Sequence, residues 1–200
     1  GYESRFDQYD ILIEKTMSLV PRKHRYVIKE RTDVNGSIIE PINTDAFKSL
    51  VEKIKKENFK SVGIGFLHSY ANSENENILK DYLIKNLPGV EISVSSDVCP
   101  EIREYERFTT TVVNAYIKPL MANYLKKLDN ELKGKGFNCS LLLMTSGGTL
   151  TNIESACNNP VRLVESGPAG GAILATSIAD DLDLNKVISF DMGGTTAKIT

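Results

Sequence analysis

The chain is 200 residues long with 41% hydrophobic and 25% charged residues, enough apolar material for one large domain or parts of two. Its net charge of -2 offers no electrostatic case for a nucleic-acid or membrane partner, and its longest apolar runs, residues 62–67 and 141–144, fall far short of the roughly 20 residues a membrane span needs. The first ten residues are polar and acidic rather than a secretory leader, and the three cysteines (Cys99, Cys139, Cys157) are widely spaced without a C-x-x-C pair, so they read as reduced, buried or half-buried thiols of a cytoplasmic protein.

Residues 7–19 fit a weak helix that Pro21 ends. Two β-branched runs, residues 25–31 and 37–40, flank Asp33-Val34-Asn35-Gly36, a hairpin signal in which Asn and Gly both tolerate positive φ. Thr44 is placed to cap a helix whose Phe47, Leu50, Val51 and Ile54 share one face. Residues 61–67 form a buried strand, a helix from Asn72 or Ser73 turns Ile78, Leu79, Tyr82 and Leu83 inward, and residues 90–94 form another strand. This alternation argues for an α/β layer with parallel strands.

After Pro100 a helical stretch covers residues 102–133, with Pro119 half-way along predicting a kink or two successive helices. Gly134-Lys135-Gly136 stops it. Residues 140–144 read as a buried strand, and Thr145-Ser146-Gly147-Gly148 is either a ligand-facing turn at its carboxyl end or a plain connection. Residues 161–164 look like a short strand, Gly167-Pro168-Ala169-Gly170-Gly171 opens a helix running to residue 182, and residues 187–190 form a buried strand. The chain then stops on what looks like the second arm of a hairpin, residues 197–200, so a piece of a longer protein is expected. The boundary between two units falls near residues 95–100.

The stretch that carries chemistry is Phe190-Asp191-Met192-Gly193-Gly194-Thr195-Thr196. Two glycines let the backbone approach a ligand and turn N–H groups toward an anion, and threonine hydroxyls add donors. A strand-end aspartate can hold a divalent cation, usually through water, so Asp191 is the metal candidate in a seat for Mg-phosphate. The alternative is a hairpin with a glycine turn. A Walker A loop is absent. With Gly167, Gly170 and Gly171 one helix and one strand upstream, small enough to pack closely on another helix or a ligand, the arrangement resembles the ATPase domains of actin, heat-shock chaperones and sugar kinases. It departs from chaperones, which carry an acid where Gly167 precedes Pro168.

A longer series of motifs is more specific. Leu67-His68-Ser69-Tyr70, Pro100-Glu101-Ile102-Arg103-Glu104-Tyr105-Glu106-Arg107, Thr110-Thr111-Val112-Val113-Asn114-Ala115-Tyr116, Pro119-Leu120-Met121, Ser166-Gly167-Pro168-Ala169-Gly170 and Phe190-Asp191-Met192-Gly193-Gly194-Thr195 follow in order. Together they resemble the hydantoinase A/5-oxoprolinase family, which includes subunits of acetone and acetophenone carboxylases. The resemblance implies an α/β fold with actin-like (ribonuclease H-like) ATPase elements and mixed sheets flanked by helices. Residues 1–97 would be the end of the family's N-terminal domain and 98–200 the start of its ATPase-like domain. It also implies ATP and Mg, phosphorylation of the oxygen of a cyclic amide or ketone, and a hydantoinase B-type partner. Gly193, Gly194, Thr195 and Thr196 would hold phosphate beside Asp191. Family members carry an earlier glycine-rich phosphate turn that residues 1–60 lack, so these 200 residues alone are expected to bind ATP weakly or not at all.

Three residues are candidates for catalysis. Arg103 and Arg107 either pair with Glu104 and Glu106 along a helix or face the cleft and bind an anionic intermediate. His68, at the carboxyl end of a strand, is a general base or a structural histidine. His68 and Glu104 have no spacing that argues for a metal pair. An actin- or chaperone-type ATPase and a sugar-kinase-like phosphotransferase remain as alternatives.

Overall fold

The computed structural model describes residue 12 and residues 17–199; most of the helix expected over residues 7–19 lies outside them. Among the described residues the chain is mixed α/β, with four two-stranded sheets, of which only β3–β4 is parallel. The mixed sheets that the family resemblance implies are not formed within these residues, where each sheet has two strands.

Strands β1 (Arg31–Thr32) and β2 (Ile38–Glu40) pair as the predicted hairpin. Only Gly36 takes positive φ, at 85°. Asp33 makes the turn instead of Asn35: its Oδ1 accepts the N–H groups of Asn35 at 2.9 Å and Ser37 at 2.8 Å. Helix α1 (Ala46–Lys56) buries the expected Phe47, Leu50, Val51 and Ile54. Thr44 does not cap it with its side chain; its carbonyl accepts from the Phe47 N–H.

Strand β3 (Ser61–Ile64) runs parallel to β4 (Glu91–Val94), joined by α2 (Glu74–Asn86), which is the predicted β–α–β unit. Leu79 and Leu83 of α2 enter the core and Tyr82 packs on Phe47 at 5.0 Å between ring centroids. Ile78 does not turn inward but is 40% exposed, while Asn75 and Glu76 are buried. Burying a leucine as fully as Leu83 contributes on the order of 2 kcal/mol.

The short α3 (Ser95–Val98) leads to α4 (Glu104–Gly134), one continuous helix through Pro119 rather than two. It ends in a Schellman arrangement, with Phe137 N–H donating to the Leu132 carbonyl at 3.1 Å, Gly136 N–H donating to that of Lys133 at 3.0 Å, and Gly136 at φ 89°. Helix α4 packs on β3 and β4 and also on α5 (Ile153–Asn158) and the 3-10 turn Pro160–Leu163. Asn114 of α4 ties these elements together: its Nδ2 donates to Ser93 Oγ and the Asn158 carbonyl, and its Oδ1 accepts from the Val161 N–H. The strand predicted over residues 161–164 is therefore a 3-10 turn, opened by Pro160.

Strand β5 (Leu142–Met144) pairs antiparallel with β6 (Leu150–Asn152). Residues 145–148 are thus a hairpin turn, and Leu142 is 51% exposed instead of buried. Helix α6 (Ser166–Asp181) leads to β7 (Phe190–Met192), which pairs with β8 (Ala197–Ile199) in the hairpin anticipated at the end of the chain. No helix is long and apolar enough to cross a membrane among the described residues.

Candidate functional site

The structure collects the sequence candidates into two separate clusters. The first forms where β3 and β4 end, the edge at which open α/β layers receive ligands. Past Ile64 the backbone runs so close to the Phe108 ring that a Cβ on Gly65 would stand 2.5 Å from it. The chain then bends through His68, a non-glycine residue at φ 56°. Tyr70 Oη lies 3.3 Å from His68 Nδ1, and the two rings meet edge to face at 5.8 Å. Arg103, exposed at the start of α4, is also left-handed, at φ 78°.

Arg107 departs from the expectation of a cleft-facing anion ligand. It is fully buried, and its Nε donates to Ser95 Oγ at 3.2 Å. One terminal nitrogen donates to the Glu101 carbonyl and the other to the Phe66 carbonyl, both at 2.8 Å. Its guanidinium lies 5.3 Å from the Tyr70 ring centroid and 5.1 Å from that of Phe108. Of the predicted helix ion pairs, the described residues show Glu104–Arg107, at 3.6 Å.

Sequence reasoning missed the carboxylate beneath this arginine. Glu76 is fully buried; its Oε1 accepts from Ser95 Oγ at 2.6 Å and the Phe66 N–H at 2.9 Å, and its Oε2 accepts from the Ser96 N–H at 2.9 Å. Ser69 Oγ lies 3.0 Å from Ser95 Oγ. Nothing in the helical period announces this, because an acid in a first helical turn reads as solvated. Tyr70 was legible, as part of the Leu67-His68-Ser69-Tyr70 motif.

The second cluster joins the start of α6 to the β7–β8 hairpin. Glu165, left-handed at φ 64°, precedes α6 and forms an ion pair with Lys198 of β8. Lys198 lies opposite Asp191 in the strand register. Lys198 was also missed, although its place across the hairpin from Asp191 follows from strand pairing. Between the two strands, Gly193 N–H donates to the Thr196 carbonyl at 2.9 Å, and the Thr195 and Thr196 hydroxyls stand 3.5 Å apart. A Cβ on Gly194 or Gly167 would meet nothing within 4 Å, so both backbones are open to approach. Gly170 and Gly171 instead face protein: Cβ atoms there would stand 3.7 Å from Met144 Cγ and 3.9 Å from Ser189 Oγ.

Asp191 is not the buried strand-end carboxylate expected from sequence. It sits in the middle of β7 and is exposed, as are Gly193, Gly194, Thr195 and Thr196. No group of three or more His, Cys, Asp or Glu side chains able to hold a metal occurs among the described residues. A single carboxylate beside open N–H groups fits Mg²⁺, which keeps several waters and takes one or two carboxylates plus phosphate oxygens. Among the described residues no hydrogen bond or ion pair links the two clusters, and the surface hollows at Leu120–Lys127 and around Lys60, Glu91 and Lys126 share no residue with either.

The free cysteines take three environments: Cys139 is exposed, unlike the expectation, Cys99 is half-buried and Cys157 is buried. Burial pushes the Cys157 thiol up.

Two family profiles match the chain. The hydantoinase/oxoprolinase N-terminal region matches residues 1–87, and hydantoinase/oxoprolinase matches residues 107–200. The chain belongs to the hydantoinase/oxoprolinase family. It is 46% identical over 99% of its length to an uncharacterized protein of Methanocaldococcus jannaschii and covers 29% of that relative. It is 30% identical over its whole length to the caprolactamase alpha subunit of Pseudomonas jessenii, again covering 29%. The crystal structure of that ATP-dependent caprolactamase superposes with a TM-score of 0.85, at 30% identity over all of this chain and 29% of the other. Nucleotide-free acetone carboxylase superposes with a TM-score of 0.84, at 27% identity over 94% of this chain and 27% of the other. The chain thus spans somewhat under a third of the length of each of these relatives.

Proposed function

We propose that this chain is part of an ATP-dependent cyclic-amide hydrolase, with the β7–β8 corner as a nucleotide phosphate seat and the β3–β4 edge as the substrate side. The observation that carries the first assignment is the glycine- and threonine-rich hairpin turn held against the start of α6 by Lys198 and Glu165. The likeness to the caprolactamase alpha subunit along the whole chain supports an amide substrate. An actin-like ATPase core is the fold reading that accompanies this assignment.

In this reading the N–H groups and hydroxyls of Gly194, Thr195 and Thr196 receive phosphate oxygens and Asp191 holds hydrated magnesium. Bound nucleotide supplies phosphoryl activation of an otherwise inert carbonyl oxygen. The open backbone at Gly167 lets that oxyanion-rich region approach α6, and Lys198 adds positive charge beside it. On the substrate side His68 is placed to move a proton and Arg103 to receive developing negative charge, while Arg107, fully buried and bonded to Ser95, Glu101 and Phe66, holds no ligand. A hydantoinase B-type subunit is the expected partner.

The acetone carboxylase superposition favours a second reading, ATP-dependent activation of a ketone. Calorimetry of Mg-ATP on the full-length protein with and without Asp191→Ala tests the phosphate seat, and the same titration on residues 1–200 asks whether they suffice. Binding by the full-length protein that is lost in the variant supports the seat; no binding by the unmodified protein removes every ATPase reading. ATP turnover stimulated by lactams, hydantoins or oxoproline, set against stimulation by acetone with bicarbonate, separates hydrolase from carboxylase.

A further inference from the structure

We propose that Arg107 is a positioning residue: anchored by the buried Glu76–Ser95 pair, it locks together the two loops that carry His68 and Arg103. The proposal rests on the substrate-side reading above. Both candidate residues are left-handed without being glycine, a conformation that persists only when its surroundings over-determine it. The structure supplies that determination through one guanidinium. Two residues before His68, Phe66 is gripped on both faces of its backbone, its N–H donating to Glu76 and its carbonyl accepting from Arg107. Two residues before Arg103, the Glu101 carbonyl accepts from another nitrogen of the same guanidinium. Tyr70, two residues beyond His68, packs its ring beside the cation.

Ser95 is the pivot. Its hydroxyl proton goes to Glu76 and its oxygen accepts from Arg107 Nε, so the buried anion and the buried cation are joined through one neutral group. The network therefore connects the first turn of α2, the end of β4, the β3 loop and the approach to α4. Three nitrogens of a rigid planar fork reach three partners from three separate positions, whereas a lysine ammonium donates from a single point. Loss of the fork frees both loops at once while the hydrophobic core beneath them stays intact.

The experiment compares full-length protein with its Arg107→Lys and Ser95→Ala variants by amide hydrogen exchange and by kinetics. Expected is faster exchange in both loops, residues 66–71 and 101–104, of at least tenfold, with residues 62–64 and 92–94 still protected. Release of only one loop, unchanged exchange in both, or uniform loosening of the strands as well would overturn the proposal, and this readout needs no substrate. With a cyclic amide that stimulates ATP turnover, kcat should fall at least tenfold in Arg107→Lys while KM for ATP stays within about twofold; an unchanged kcat per folded molecule would overturn it. If the unmodified protein turns over no cyclic amide, the functional reading fails alone, and the exchange result still decides the coupling.

Discussion

At the carboxyl ends of β3 and β4 the polar side chains, Ser96 Oγ excepted, are bonded to one another away from water, whereas along the β7–β8 hairpin they face outward. Glu76, Ser95, Arg107 and Asn114 are buried with named partners, while Asp191, Gly194, Thr195 and Thr196 are exposed. The contrast separates two ways in which a polar residue can matter. A buried network is costly to break because every member left behind is unsatisfied. An exposed turn costs little to change in the folded chain and reveals its value only through what it binds. Chemistry-bearing residue types in a sequence do not distinguish these cases, and Arg103 and Arg107, four residues apart on the same motif, fall on opposite sides.

The sharpest way to break the comparison is Arg107→Met, which keeps the stem and removes every donor. Two carbonyls and the Ser95–Glu76 pair then lose their partner, and urea denaturation should show a loss of about 3–5 kcal/mol. A loss under about 1 kcal/mol would mean that water or a rearranged side chain replaces the guanidinium. Next in size, Asp191→Ala should weaken Mg-ATP binding to the full-length protein by roughly a hundredfold, about 2.7 kcal/mol, while shifting stability by no more than about 0.5 kcal/mol, as for exposed sites. A large loss of stability would place Asp191 among the structural residues instead.

Gly148→Ala tests the contact between the β5–β6 turn and α6. Gly148 sits at φ 77° in the β5–β6 turn, and a Cβ there would stand 2.8 Å from Ile173 Cδ1 of α6. The Ile173 methyl can rotate away, so the remaining backbone strain sets the cost, about 1–2 kcal/mol by thermal melting. The smallest effect concerns the thiols. Cys157 should be the slowest of the three to react with maleimide and Cys139 the fastest. Because the folded-state pKa of Cys157 is raised, its neutral thiol is favoured by folding. Its contribution is therefore complete below the ordinary thiol range and is lost as pH rises through and beyond 9.0, so Cys157→Ala should flatten the alkaline fall in stability.

Much of the fold was legible. The face of α1 follows from Phe47, Leu50, Val51 and Ile54 recurring at helical spacing, and the β3–α2–β4 unit from apolar runs alternating with a helix. The glycines at positions 36 and 136 mark turns that the backbone takes with positive φ. Errors arose where long-range packing overrode a local rule. Pro119 does not divide α4, which packs along β3 and β4 and is tied by Asn114 to Asn158 and Val161. Residues 161–164 have a strand composition but form a 3-10 turn, where the Val161 N–H donates to Asn114 across 47 positions of chain.

Of the candidate sites, the glycine–threonine turn was legible because a two-glycine turn between strands is a local property of consecutive residues. Its exposure was not, since burial depends on what the rest of the fold lays over a strand. The sequence by itself determined the helical faces, the turns and the motif order that names the family, all of which are set by neighbours within a few residues. Only the tertiary structure decided that Glu76 is an internal anchor, that Arg107 is a brace and that Lys198 pairs with Glu165. Those roles follow from hydrogen bonds and ion pairs between groups 6 to 41 residues apart, where periodicity carries no information; for Glu76 and Arg107 the need to satisfy buried charge selects the partner.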